Sequence, residues 1–322
     1  MQCKYSVPDH VFDTIISLGR TEDIKFSPSN RRLGLAAFHK NKIVIFELSL
    51  RLASQQKSIT VTDATEFSST SFNSPHGLDF VDERTIIVAN RDGDACIFRL
   101  PSSRDWRPCE LEPIGIIPGG EILDSPGSVC VFQRDENRYE TLICNNYRND
   151  VTRHLLDLKH GFVLKTNEVL LRTGLSLPDG ICISKDRRWI AVSNHETQCV
   201  SIYNNTPALN AFSEPVGKLL GINYPHGVRF SSDGNFMVVA DAGSPLVHLY
   251  ARGGATWRGC REPLTSVSVM SEQVFLHGRH NPQEGGPKGV DIDEGMNVLV
   301  TTCESQPLAF FEVPKKFSLP KA

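Results

Sequence analysis

A recurring phrase constrains the fold of this chain more than any other feature: SPHGLDF at 74–80, LPDGICI at 177–183, YPHGVRF at 224–230 and GPKGVDI at 286–292. Copies lead into β-rich runs that end in a polar residue, as in TIIVAN (85–90), WIAVSN (189–194) and FMVVAD (236–241). Self-similarity at this period marks a propeller or a solenoid, whose units bury their faces only by stacking on neighbours. One position inside the phrase varies, and it holds His76, Asp179, His226 and Lys288.

Two degenerate copies extend the series: EDIKFSP (22–28) places Glu22 in that slot, and SPGSVCV (125–131) places Gly127 there. Each unit then has room for an apolar strand, a turn such as SSDG (231–234), a second strand and a third such as LVHLYA (246–251). Fourth strands are expected at FVLKTNEVLL (162–171) and SVSVMSEQVFL (266–276), and no helical periodicity stands out. The pattern predicts an all-β, six-bladed β-propeller of four-stranded antiparallel blades, one domain over 1–322, with blades starting near 22, 74, 125, 177, 224 and 286. The last unit lacks a fourth strand after LAFFEV (308–313), whereas HVFDTIISL (10–18) reads as a spare one. That segment is expected to pair with the last blade as a strand, closing the ring and removing an exposed edge.

In a propeller the first strand of every blade lines the central channel, so the six slots should surround one mouth. Glu22, His76, Asp179, His226 and Lys288 form the expected inner ring. Asn90, Asn145, Asn194 and Asp241, with Thr302, form a second ring at the ends of the antiparallel second strands. Ordinary turn chemistry accounts for the flanking proline and glycine. It does not account for two histidines, two acids and a lysine in turn.

Formal net charge is -3 with no long basic run, which argues against nucleic-acid or anionic-membrane partners and leaves a small-molecule substrate as the expected one. P-loop, Rossmann and G-x-S-x-G phrases are missing. The N-terminal segment has no basic start followed by a long apolar stretch, so a cytoplasmic location is expected. Nine cysteines without a C-x-x-C pair read as reduced thiols, several packing as small apolar side chains.

The PHG and PDG phrases, the SxDG turns and the VAD or VSN strand ends resemble six-bladed propellers of the senescence marker protein, gluconolactonase and NHL-repeat type. In the gluconolactonase-like enzymes a divalent cation at the channel mouth is held by a glutamate of the first blade and by an Asn and an Asp from later blades. Carried over by position, the resemblance implies Glu22, Asp179 and His226 as metal ligands. An imidazole in place of an oxygen favours zinc, manganese or iron over calcium. The usual Glu-Gly-Pro context is absent, since Asp23 and Ile24 follow Glu22. The peptidyl-hydroxyglycine lyase, with zinc on histidines of alternate blades, is a less complete match because Lys288 occupies one such slot. Strictosidine synthase-like propellers share the architecture without a residue to carry over.

The expected activity is a metal-dependent hydrolase or lyase, lactonase-like, acting on a small polar molecule. Asp241 is the expected general base and Lys288 the oxyanion-stabilising cation, with His76, Asn90, Asn145, Asn194 and His195 contacting substrate. The plainer alternatives are Asp241 as a turn cap and Lys288 as a partner for Glu22, with His39 in reserve as a mouth residue. The rival function is a non-enzymatic NHL-type propeller that binds a ligand or a protein.

Overall fold

Apolar runs and turn residues alternate to give six sheets, arranged as a six-bladed β-propeller in a computed structural model that describes residues 2–51, 58–101 and 109–314. The inner strands are Ile24–Phe26, Pro75–Asp82, Pro126–Gln133, Pro178–Ile183, Pro225–Phe230 and Gly289–Ile292. Each pairs antiparallel with the strand that follows it. Apolar side chains pack between neighbouring blades: Ile43 and Phe67 of blade 1 meet Leu78 and Phe98 of blade 2, and Trp189 of blade 4 meets Val228 and Tyr250 of blade 5. Burial pushes the Cys130 and Cys182 thiols up to about 12, in keeping with their packing as small apolar groups. Among the described residues no helix is long and apolar enough to cross a membrane.

Three expectations need correction. Parallel additions widen two blades: Tyr5–Ser6 and Cys109–Glu110 both pair with Ser58–Ser68, and Gly259–Arg261 pairs with Gly217–Leu219. The segment read as a fourth strand at 266–276 divides into strand Thr265–Ser268 and a short helix, Glu272–His277, whose N-terminus Ser271 caps by accepting from Val274 N–H. Most consequential, the closing segment at 10–18 is a helix, α1 (Asp9–Ser17). Its apolar residues fall in adjacent pairs, Val11–Phe12 and Ile15–Ile16, a spacing that suits one helical face and breaks strand alternation.

The ring still closes at the termini, by different residues. Gln2 bridges antiparallel to Phe311 and Cys3 N–H donates to Phe310 O at 2.8 Å, so the chain start supplements the three-stranded last blade. Val11, Ile15 and Leu18 then wedge between blade 1 (Val44, Phe46) and blade 6 (Val298, Phe310).

The expected second ring has a repeated structural job. Asn90, Asn145, Asn194 and Asp241 lie opposite Pro75, Pro126, Pro178 and Pro225 in the sheet register. Each side chain accepts the backbone N–H two residues before that proline: Asn73 at 3.0 Å, Asp124 at 3.1 Å, Ser176 at 2.9 Å and Asn223 at 3.1 Å. Thr302 of the last blade lies 2.6 Å from both Thr21 Oγ1 and Pro307 O. The ring therefore pins the turns that deliver the slot residues, and its polar atoms are committed to the fold rather than to a substrate. Asp241 is the fullest case, accepting from the N–H groups of Asn223, Tyr224 and Gly243, from Ser244 Oγ, and pairing with His248 Nε2 at 3.2 Å. Such a carboxylate has no lone pair left for general-base work.

Two outcomes follow for stability. In a denaturant melt Ile15→Ala should cost about 2–4 kcal/mol through the cavity it leaves, while Ile16→Ala, at a solvent-facing position, should stay within about 0.5 kcal/mol. Asp241→Ala should cost about 3 kcal/mol or more by stranding several buried donors at once. Wild-type stability of the latter would remove the turn-pinning role.

Candidate metal centre at the channel mouth

The slot residues meet because neighbouring inner strands come unusually close at the four slots followed by glycine, those of His76, Asp179, His226 and Lys288. A Cβ at Gly180 would lie 2.0 Å from His226 O, and one at Gly77 would lie 2.4 Å from Gly127 O. Glycine at these positions is a requirement of blade-to-blade approach, beyond the turn chemistry read from sequence.

The approach gathers Glu22, His76, Asp179, His226 and Lys288 into one buried cluster. His226 stands at its centre: Nε2 lies 3.4 Å from Glu22 Oε2, and Nδ1 lies 2.9 Å from Asp179 Oδ2. His76 stacks alongside with ring centroids 5.7 Å apart, its Nε2 3.6 Å from Glu22 Oε2 and 3.8 Å from Asp179 Oδ1. His195 joins from the next position after Asn194, stacked on Tyr224 at 4.1 Å, with Nε2 3.9 Å from Asp179 Oδ2. Lys288 Nζ bridges Glu22 Oε1 at 2.9 Å and Glu284 Oε2 at 2.8 Å, so it neutralises two carboxylates. His39 is exposed, and its backbone N–H bonds Arg20 O.

Four members of the cluster were not anticipated: Arg20, Arg91, Asn146 and Glu284. Arg20 Nε bonds Glu22 Oε1, and Arg91 contacts Asn146 Oδ1, His76 Nε2 at 2.5 Å and Asp179 Oδ1 at 3.3 Å. Asn146 Nδ2 also donates to Asp179 Oδ1 at 3.2 Å. A sequence signal for Arg91 and Asn146 exists: like His195, each immediately follows a turn-pinning Asn. Glu284 comes from the loop before the last slot, outside the repeat, and carries no such signal.

Electrostatics divide the histidines. Burial drives His195 down to about 4 and His76 well below its ordinary range, the latter helped by Arg91, so both are neutral. Burial also opposes charge on His226, but Asp179 and Glu22 outweigh it and raise the ring to about 9. For Glu22 and Asp179 burial works against ionisation, and the surrounding cations, Lys288 and His226 foremost, hold both well below the usual carboxylate range.

Buried Glu22 Oε2, Asp179 Oδ2 and His195 Nε2 make no hydrogen bond of good geometry, while Glu22 Oε2 and Asp179 Oδ2 are each ion-paired with a His226 nitrogen. Two groupings have ligand atoms within 4.8 Å of one another: Glu22, His76 and His226, and Asp179, His195 and His226. Ligands about 2.1 Å from a tetrahedral zinc stand about 3.4 Å apart. The Glu22–His226 and Glu22–His76 separations, 3.4 and 3.6 Å, fit that spacing.

No model of a known protein family matches the chain, and no curated protein matches it. Solved structures do. A functionally unknown protein from Desulfotomaculum acetoxidans is 14% identical with a TM-score of 0.59, over 91% of this chain and 82% of its own. A luciferin-regenerating enzyme is 11% identical with a TM-score of 0.57, over 92% of both chains. At such identities the likeness establishes the propeller fold and nothing finer.

Proposed function

We propose that the protein is a metal-dependent hydrolase or lyase of the gluconolactonase-like type, acting on a small polar molecule at this mouth. The observation that carries the reading is Glu22 Oε2, buried without a hydrogen bond of good geometry and facing the His76 and His226 Nε2 atoms at metal-ligand spacing. Glu22 Oε2, His76 Nε2 and His226 Nε2 would hold the cation. Asp179, on the opposite edge of the His226 ring, would fix that ring's orientation, as carboxylates commonly do behind metal-binding histidines. This modifies the ligand set carried over by resemblance, with His76 taking the place of Asp179. Two imidazoles and one carboxylate suit zinc, manganese or iron better than calcium.

A bound cation of this kind polarises a substrate carbonyl and lowers the pKa of water. The chain's own side chains supply the rest. Lys288 and Arg20 hold Glu22 Oε1, which leaves Oε2 directed away from them. His195, neutral and buried with Nε2 unpartnered, would contact the substrate through that atom. Asp241 has no part in this scheme. Arg91 donates to His76 Nε2, so guanidinium and cation would compete for one lone pair.

Elemental analysis of the purified protein, paired with His226→Ala, tests the proposal. About one transition-metal ion per chain is expected, falling at least tenfold in the variant. Wild-type protein without stoichiometric metal after growth and dialysis with zinc and manganese would favour the non-enzymatic binding module. Metal retained by His226→Ala would move the centre elsewhere.

A further inference from the structure

We propose that the ligand of this mouth carries a carboxylate or phosphate group, recognised by the guanidinium groups of Arg20 and Arg91. The inference rests on the cation reading above and names the substrate class for the same site. Solvent access is the first observation. Glu22 and Asp179 side chains are fully buried and those of His76, His226, His195 and Lys288 nearly so, whereas Arg20 is 36% exposed and Arg91 19%. Arg20 and Arg91 are therefore the cations of the cluster that solvent reaches most, each in its own recess: Arg20 beside Glu284 and Lys288, Arg91 beside Asp94 and Tyr147. Glu284 also reaches solvent, but its carboxylate is committed to Lys288 at 2.8 Å.

Preorganisation is the second. Arg20 is anchored through Nε to Glu22, and its guanidinium lies over the Phe38 ring, 4.6 Å from the centroid. Among the described residues its terminal nitrogens make no hydrogen bond. Pinned in this way, the group presents a planar fork of donors whose ordering cost is already met by the fold, the geometry that carboxylate and phosphate match in bidentate fashion. Arg91 is likewise fixed by Asn146 and Asp179, contacts that leave His76 Nε2 to the cation.

Charge is the third. With His226 neutral as a metal ligand, Arg20, Arg91 and Lys288 balance Glu22, Asp179 and Glu284 one for one. A dication held by Glu22, His76 and His226 leaves two positive charges uncompensated in a largely dry site. A neutral ligand would leave that excess standing; an anionic one offsets it.

The test is a calorimetric titration of the zinc-loaded protein with succinate, with succinamide as its uncharged counterpart, and with inorganic phosphate. At least one of the two anions should bind about tenfold or more tightly than succinamide, and the tighter of the two assigns carboxylate or phosphate. Arg20→Gln and Arg91→Gln, each titrated at saturating zinc with one ion per chain confirmed by elemental analysis, should cut that preference several-fold, which separates anion recognition from the metal itself. Arg20→Lys, which keeps charge without the fork, should recover only part of it. Equal binding of succinate, phosphate and succinamide overturns the proposal, as does a preference that survives in both glutamine variants. If the wild-type chain binds no zinc, the metal reading fails, and the same titration of the metal-free protein decides the anion claim on the same criteria.

Discussion

The chemistry of the channel mouth depends on how closely the inner strands approach one another. Where a Cβ at Gly180 would sit 2.0 Å from His226 O, no other residue fits, and the slot side chains on either side have nowhere to go except against each other. Charges that would be solvated in a wider channel are forced to be buried, and burial makes their pairing obligatory. The stacking of His76 on His226 and the bridging of Glu22 and Glu284 by Lys288 are consequences of that single packing constraint.

Three residues deeper along each inner strand, the same constraint is solved differently. Lys25, Asp79, Arg229 and Asp291 occupy this level, with Cys130 and Cys182 in the remaining blades. Lys25 pairs with Asp23 at 2.8 Å, and Arg229 pairs with Asp291 at 2.9 Å and Asp79 at 3.5 Å. The carboxylates also reach across blades: Asp23 accepts from Leu78 N–H, Asp79 from Val131 N–H and Asp291 from Phe26 N–H. These charges stitch one blade to the next, where apolar channel residues would leave strand N–H groups unbonded.

What the sequence disclosed follows from which features repeat. The slot, the turn glycines and the strand-end Asn or Asp recur with the blades, so the propeller and the convergence of Glu22, His76, Asp179, His226 and Lys288 were legible. The recurrence did not reveal direction. Asn90 and Asp241 repeat because they pin the turn before each proline, and a conserved spacing looks the same whether a side chain faces a ligand or its own backbone. Ring closure asks for one more strand and 10–18 is the spare apolar segment, yet the adjacent apolar pairs in it suit the helix that forms at Asp9–Ser17. Gln2 and Cys3, which close the blade, form too short a stretch to carry any periodicity.

The contrast between the two levels of the channel bears most directly on function. A buried ionic network kept only for architecture should satisfy its members, because each orphaned polar atom costs as much as a lost hydrogen bond or more. The deeper level meets that standard: among the described residues none of Asp23, Lys25, Asp79, Arg229 or Asp291 leaves a buried polar atom without a partner. The mouth does not, since Glu22 Oε2 and His195 Nε2 lack a hydrogen bond of good geometry within one small cluster, while Asp179 Oδ2 is held by its ion pair with His226 at 2.9 Å. The fold thus shows that it can close a charged channel completely and does so on one level only. Buried atoms without partners also occur away from the mouth, at Arg252 Nε and Arg261 Nε among others; what sets the mouth apart is that they sit on convergent ligand-type side chains, the feature on which the proposed cation site rests.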